Sequence, residues 1–141
     1  MELTVFAEVF RLTDVFTISR GSRTEARVLT VRISDGSYSG RGECVPYARY
    51  GETMESVEAV IGNLPTDLTP AALHHRLPDL LPAGAARNAV DCALWDFAAK
   101  QAGKRMWMLA GLPAPGPLLT AFTLSLDEPD RMRAAAAAQA H

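Results

Sequence analysis

A strong charge of either sign, paired cysteines and long apolar runs are all missing from this 141-residue sequence. With 14 Lys and Arg against 16 Asp and Glu, the net charge is −2. So weak a field gathers neither nucleic acid nor anionic lipid, and neither is expected as a partner. The two cysteines, Cys44 and Cys92, have no CxxC spacing, and His74, His75 and His141 complete no zinc pattern with them. They read as free thiols in a reducing cytosol. No apolar run nears the roughly 20 residues of a membrane span. The start, MELTVFAEVFRLTD, has no basic stretch ahead of an apolar core, as a signal peptide would. The expectation is a soluble, cytoplasmic protein.

Catalytic signatures are missing as well. There is no GxSxG elbow, no HExxH and no GxxxxGKS/T loop. Gly40-Arg41-Gly42 follows a strand pattern, but no third glycine or helix start comes after it, which excludes a dinucleotide fingerprint. His74 and His75 are adjacent on a short helix, so they point apart and read as helix surface. Asp91, Asp96 and Glu43 suit structural roles better than acid–base ones.

What is present is a globular composition, 48% hydrophobic and 21% charged, in a chain long enough to bury a core. Leu3, Val5, Ala7 and Val9 alternate with other residues as in a strand. A second strand spans about 26–34, with Leu29, Val31 and Ile33 on one face and Val28, Thr30 and Arg32 on the other. Asp35-Gly36 marks a hairpin, because glycine accepts a positive φ, and 37–43 returns as a third strand. Between the first two strands, residues 13–25 read as a long polar connection that carries Arg20 and Arg23 around Gly21, the kind of loop that is often functional.

After Pro46 the period changes to helical. Thr53 caps a helix with Met54, Val57, Val60, Ile61 and Leu64 on its apolar face, and Pro65 ends it. Thr69-Pro70 opens another that runs to Pro78. The best-defined helix begins near Gly84 or Ala85 and ends at Ala102, with Gly103 as its left-handed stop. Its stripe of Ala86, Ala89, Val90, Ala93, Leu94 and Phe97 is small enough in places to let a neighbouring backbone come close, and Arg87 and Asp91 are spaced to pair on its flank. The break at 111–117, GLPAPGP, is the one domain boundary. LLTAFTLSL then reads as a strand buried on both faces, and Asp127 as the cap of an alanine-rich helix with Asp130 three residues on. A lone βα unit cannot cover both faces of its strand, so the sequence is expected to be part of a longer α/β protein.

Two segments, RGECVPYARYGET and LPAGAARNAVDCALWDFAAKQAGK, make the chain resemble the mandelate racemase and muconate lactonizing branch of the enolase superfamily. With ISRGSRTEARV, they resemble its L-Ala-D/L-Glu dipeptide epimerases. The resemblance implies an α+β capping domain, a three-stranded antiparallel meander plus helices, over residues 1–112. It is followed at 117–141 by the first βα unit of a modified TIM (β/α) barrel, whose full length needs about 250 residues.

The implied activity is that of an isomerase. A base removes the α-proton of a dipeptide residue, Mg²⁺ stabilises the enediolate, and an acid returns a proton to the other face. The catalytic lysines and metal ligands lie on later barrel strands in such enzymes, so no catalytic or metal residue is assigned here. Lys100 and Lys104, the only lysines, are not catalytic candidates.

This chain would cover the substrate with two loops, 16–25 and 45–52. Arg23 is the first choice for binding a glutamate-side carboxylate and Arg20 the second, since arginine grips a carboxylate through two parallel hydrogen bonds. Tyr47 and Tyr50 would form an aromatic wall, and Thr120 and Thr123 would face the substrate from the first barrel strand. Arg49 pairing with Glu52 is the alternative use of the second loop. The implied partner is a small dipeptide, with a homo-oligomer left open. The rival readings are an N-acylamino acid racemase, a muconate cycloisomerase or an o-succinylbenzoate synthase with the same cap, or a non-catalytic α+β binding module.

Overall fold

In the computed structural model, which describes residues 1–139, a three-stranded antiparallel sheet precedes a layer of helices. The strands β1 (Glu2–Ile18), β2 (Gly21–Ser34) and β3 (Ser39–Cys44) lie in sequence order. The helices are α1 (Met54–Gly62), α2 (Pro70–Leu80), α3 (Ala85–Gln101), the short α4 (Met106–Leu109) and α5 (Pro129–Gln139). The chain divides into two compact units, one of Met1–Glu8 with Arg27–Pro115 and one of Val9–Ala26 with Gly116–His141.

The first unit holds the core. In the β2–β3 register Leu29 faces Cys44, Val31 faces Gly42 and Ile33 faces Gly40, so three branched side chains alternate with two bare backbone positions on one face. Helix α3 lies on that face. A Cβ on Gly42 would stand 1.9 Å from the Ala89 carbonyl oxygen, and one on Gly40 2.0 Å from that of Ala93. Strand and helix backbones therefore touch, as the small residues of the α3 stripe predict. Ala89, Val90, Ala93, Leu94 and Phe97 are buried. Val57 and Ile61 of α1 and Leu73 and Leu77 of α2 complete the core. Full burial of each larger aliphatic side chain contributes about 1.5–3 kcal/mol.

Local signals fix the ends of these elements. The β2–β3 turn closes on Asp35, whose carboxylate accepts from Ser37 N (2.9 Å) and Tyr38 N (2.8 Å), while Gly36 takes φ 92°. Those N–H donors hold the Asp35 carboxyl below its usual range. Thr53 and Ser56 exchange side-chain and backbone bonds in a capping box at the start of α1. Gly103 at φ 61° ends α3, with Gly103 N on Lys100 O (3.1 Å) and Lys104 N on Ala99 O (2.9 Å), the paired bonds of a Schellman stop.

Several expectations are corrected. Residues 13–25 do not form a long loop: β1 continues to Ile18 and β2 begins at Gly21, leaving a tight turn at Ser19 and Arg20. The β-branched and aromatic residues Thr13, Val15, Phe16, Thr17 and Ile18 favour extended backbone whatever their polarity. Helix α2 passes through Pro78 to Leu80, because proline in a last turn disrupts little beyond it. His74 is not plain helix surface. Its Nε2 lies 3.0 Å from Asp91 Oδ1 and its ring meets Trp95 edge-on at 5.2 Å, since α2 packs against α3 there. Asp91 therefore pairs with His74 and not with Arg87.

In the second unit, LLTAFTLSL carries no strand and is largely exposed, with Leu118 and Leu119 open to solvent. A strand needs a partner ladder, and the bonds made here are few. Ser125 Oγ accepts from Thr17 N (2.9 Å) and donates to Val15 O (3.1 Å), and Leu126 N reaches Thr17 O at 2.8 Å. Helix α5 starts at Pro129, so Asp127 lies ahead of it; its carboxylate accepts from Glu128 N and pairs with Arg131.

Candidate functional site

The candidate residues fall on three segments. In the second unit, the tip of the β1–β2 hairpin carries Arg20 in its turn and Arg23 at the start of β2, both exposed. Gly21 between them adopts φ 139°, a conformation that L side chains rarely take. The Arg23 guanidinium stands 5.7 Å from the centre of the Phe16 ring, so the aromatic face supports the cation from the opposite strand. Across the same tip Thr17 and Ser22 hydroxyls are bonded at 2.8 Å. The tip is a braced ribbon with an exposed guanidinium.

Thr120 and Thr123 belong to the same unit, on the irregular stretch before α5, and both are exposed. The Thr120 hydroxyl contacts the next carbonyl, that of Ala121, at 3.5 Å. No bond among the described contacts joins either threonine to Arg20 or Arg23.

In the first unit, residues 45–52 link β3 to α1. A single 3₁₀ turn, Ala48–Tyr50, closes with Tyr50 N on Tyr47 O (2.9 Å) and Gly51 N on Ala48 O (3.0 Å), and Gly51 takes φ 75°. This folds the segment back so that the Tyr47 and Tyr50 rings stand 5.7 Å apart, tilted by 52°. Tyr50 is 76% exposed, a large aromatic surface. The structure thus brings the two tyrosines together as an aromatic pair.

Glu52 does not pair with Arg49. Its Oε2 accepts from Tyr47 N at 3.2 Å and its Oε1 from Ala85 N, the first residue of α3, at 2.7 Å. A carboxylate there satisfies an otherwise unpaired helix donor and faces the positive end of the helix dipole. The position of Glu52 just ahead of Thr53, a helix cap, signals a structural carboxylate, but its bond to α3 crosses 33 residues and leaves no local trace. At the end of β3, burial pushes the Cys44 thiol up to about 11, and the Glu52 and Glu43 carboxylates add to the shift. Cys92 is also raised by burial, with Asp91 adding to it.

Structural carboxylates account for Asp91, bonded to His74, and for Asp96, whose Oδ2 takes Arg41 N at 2.8 Å and Lys100 Nζ at 2.6 Å. On the sheet face away from α3, Glu8 bonds both Arg41 (2.6 Å) and the buried hydroxyl of Thr30. No helix of the described residues is long and apolar enough to cross a membrane.

Residues 1–111 match the family described as mandelate racemase / muconate lactonizing enzyme, N-terminal domain. The L-Ala-D/L-Glu epimerase of Escherichia coli (strain K12) is 44% identical over 128 residues, which is 91% of this chain and 40% of that protein. A solved structure of an enolase family member from Agrobacterium tumefaciens with homology to dipeptide epimerases holds sodium and L-Ala-L-Glu with an ordered loop. It superposes at a TM-score of 0.84 and 49% identity, over 96% of this chain and 42% of that one. The dipeptide epimerase from Methylococcus capsulatus, complexed with Mg and L-Arg-D-Lys, gives 0.81 at 28% identity, over 97% of this chain and 41% of that one. The chain spans about 40% of the length of the Escherichia coli relative.

Proposed function

The chain belongs to the mandelate racemase / muconate lactonizing enzyme family, and from that membership we propose that it is the substrate-covering part of a dipeptide epimerase of the L-Ala-D/L-Glu type, an isomerase. The observation that carries this is the 44% identity to an L-Ala-D/L-Glu epimerase across 91% of the chain. The structural likeness to a relative holding L-Ala-L-Glu supports the same substrate class. Residues 1–112 are the cap, and 117–141 the segment that becomes the first βα unit of the barrel once a neighbouring barrel strand pairs with LLTAFTLSL; later strands supply the acid and base.

Within this reading Arg23 takes the glutamate-side carboxylate through two parallel hydrogen bonds, with the Phe16 ring beneath its guanidinium limiting how it swings. Arg20 adds a second cation at the tip. Tyr47 and Tyr50 wall the substrate and keep water off it, and Thr120 and Thr123 offer hydroxyls from the barrel side. The free thiols of Cys44 and Cys92 fit a reducing cytosol. Magnesium, which the Methylococcus capsulatus relative binds, is the metal of the proposed reaction. Among the described residues, however, no three His, Cys, Asp or Glu side chains gather to hold one. These residues do not fit that ion, and no step is assigned to it on them.

The test is α-proton exchange in D₂O by the complete protein that carries this chain, supplied with Mg²⁺ and a panel of dipeptides and N-acylamino acids. Deuterium entering the glutamate α-position of L-Ala-D-Glu and L-Ala-L-Glu is expected. Exchange confined to N-acylamino acids would replace this reading with the racemase of the same branch.

A further inference from the structure

The two tyrosine rings need a fixed place from which to meet a substrate, and packing does not provide it: Tyr47 is 40% and Tyr50 76% exposed. We propose that Glu52 is a positioning residue for substrate recognition, its carboxylate pinning the tyrosine loop, residues 45–52, to the N-terminus of α3. This rests on the reading above that Tyr47 and Tyr50 wall the substrate.

Four features converge on Glu52. Its two oxygens bond backbone donors from different elements, Tyr47 N at 3.2 Å and Ala85 N at 2.7 Å, so one side chain ties the loop to the helix. The loop is closed on itself by the Tyr50–Tyr47 and Gly51–Ala48 backbone bonds, so it moves as one piece and a single anchor sets both rings. Residue 84 leaves room for the anchor, because a Cβ there would lie 2.7 Å from Glu52 Oε1. The anchor also sits on a 17-residue helix, whose dipole favours a full negative charge at that end.

A glutamine at this position is not equivalent. Its single oxygen accepts one of the two donors, and its amide then presents N–H to the other N–H. Losing a charge-assisted bond to a backbone donor changes the local opening equilibrium by about tenfold or more. Gly84→Ala presses on the same contact from the other side, since the new methyl would stand 2.7 Å from Oε1. Gly84 also takes φ 158°, which L side chains rarely adopt, so this variant strains the start of α3 as well, and Glu52→Gln is the one specific to the carboxylate.

The experiment combines amide hydrogen exchange with steady-state kinetics on the complete protein, comparing wild type, Glu52→Gln and Gly84→Ala. Exchange at the Tyr47 and Ala85 amides is expected to quicken by about tenfold in both variants while the core amides of Val31 and Leu94 hold their protection. KM for the dipeptide should rise by a similar factor with kcat within about twofold, the signature of lost binding and not of lost chemistry. Unchanged exchange at both amides would overturn the anchor. Quickened exchange with unchanged KM would overturn the role in recognition. A wild-type protein inactive on every dipeptide would overturn the function proposed above, and the exchange result would still decide the anchor.

Discussion

Replacing Gly42 with alanine places a methyl carbon 1.9 Å from the Ala89 carbonyl oxygen, 2.7 Å from Ala93 N and 3.0 Å from Ala89 C. All three are helix backbone, so no side chain can turn aside. Ordinary contact begins near 3.4 Å, so β3 and α3 must part by about 1.5 Å at this point, loosening the buried contacts of Val31, Ala89 and Ala93 around it. Overpacking of a core costs about 1–3 kcal/mol where neighbours can adjust. Here they cannot, and about 3 kcal/mol or more is expected, a large part of the ~5–15 kcal/mol that holds a domain together. For a unit of this size that corresponds to a fall in Tm of about 12 °C or more. Thermal and urea unfolding followed by circular dichroism measure it. Gly62→Ala is the matched control, because a Cβ there meets nothing within 4 Å. In the last turn of a helix it should be neutral or stabilising by up to about 1 kcal/mol. If Gly42→Ala unfolds within about 0.5 kcal/mol of wild type, the close backbone approach is not what sets the sheet–helix distance.

In the complete protein, Arg23→Ala should raise KM at least about tenfold for a glutamate-containing dipeptide and far less for a neutral one; equal effects on both would remove the carboxylate role. Thr53→Ala breaks the capping box of α1 and should cost about 1 kcal/mol in urea unfolding, whereas Thr53→Ser should cost much less. Native protein at pH 8 should expose Cys92 to a thiol reagent well before Cys44. The folded state holds the Cys44 proton more tightly than the unfolded chain does. Its contribution to stability is therefore complete below pH 9 and is lost as pH rises toward 11. The stability gap between wild type and Cys44→Ala should shrink across that window, and a constant gap would contradict the burial of the thiol.

How far the fold could be read from the residues depended on how local each cause was. Helix α3 was legible from end to end because its stripe, its start after Gly84 and its stop at Gly103 lie within one stretch. The turn at Asp35-Gly36 and the caps at Thr53 and Thr69 were equally local. The β1–β2 hairpin was not, because Asp14 interrupts the alternation of Phe10, Leu12, Phe16 and Ile18, and Ser19-Arg20 lacks the usual turn dipeptides. LLTAFTLSL failed in the opposite sense: its composition is that of a strand, but strand character depends on a neighbour. In the candidate site, Tyr47 and Tyr50 were named together only through the family resemblance, and the 3₁₀ turn between them is what sets their rings 5.7 Å apart. The bonds from Glu52 to Ala85 and from His74 to Asp91 join distant parts of the chain, so nearer partners, Arg49 and Arg87, had looked more natural.

The glycine seam between β3 and α3 has a mechanical consequence. Most sheet–helix spacings are set through side chains, which are springs: they change rotamer, thicken or thin with each substitution, and pass the change on. At Gly40 and Gly42 backbone rests on backbone, a hard stop with no adjustable part. The start of α3, to which Glu52 ties the tyrosine loop, is therefore gauged directly from the sheet. Drift in the aliphatic core around Ile61, Leu73 and Leu77 can accumulate without moving that reference, so the position of the loop is insulated from the part of the molecule most free to vary.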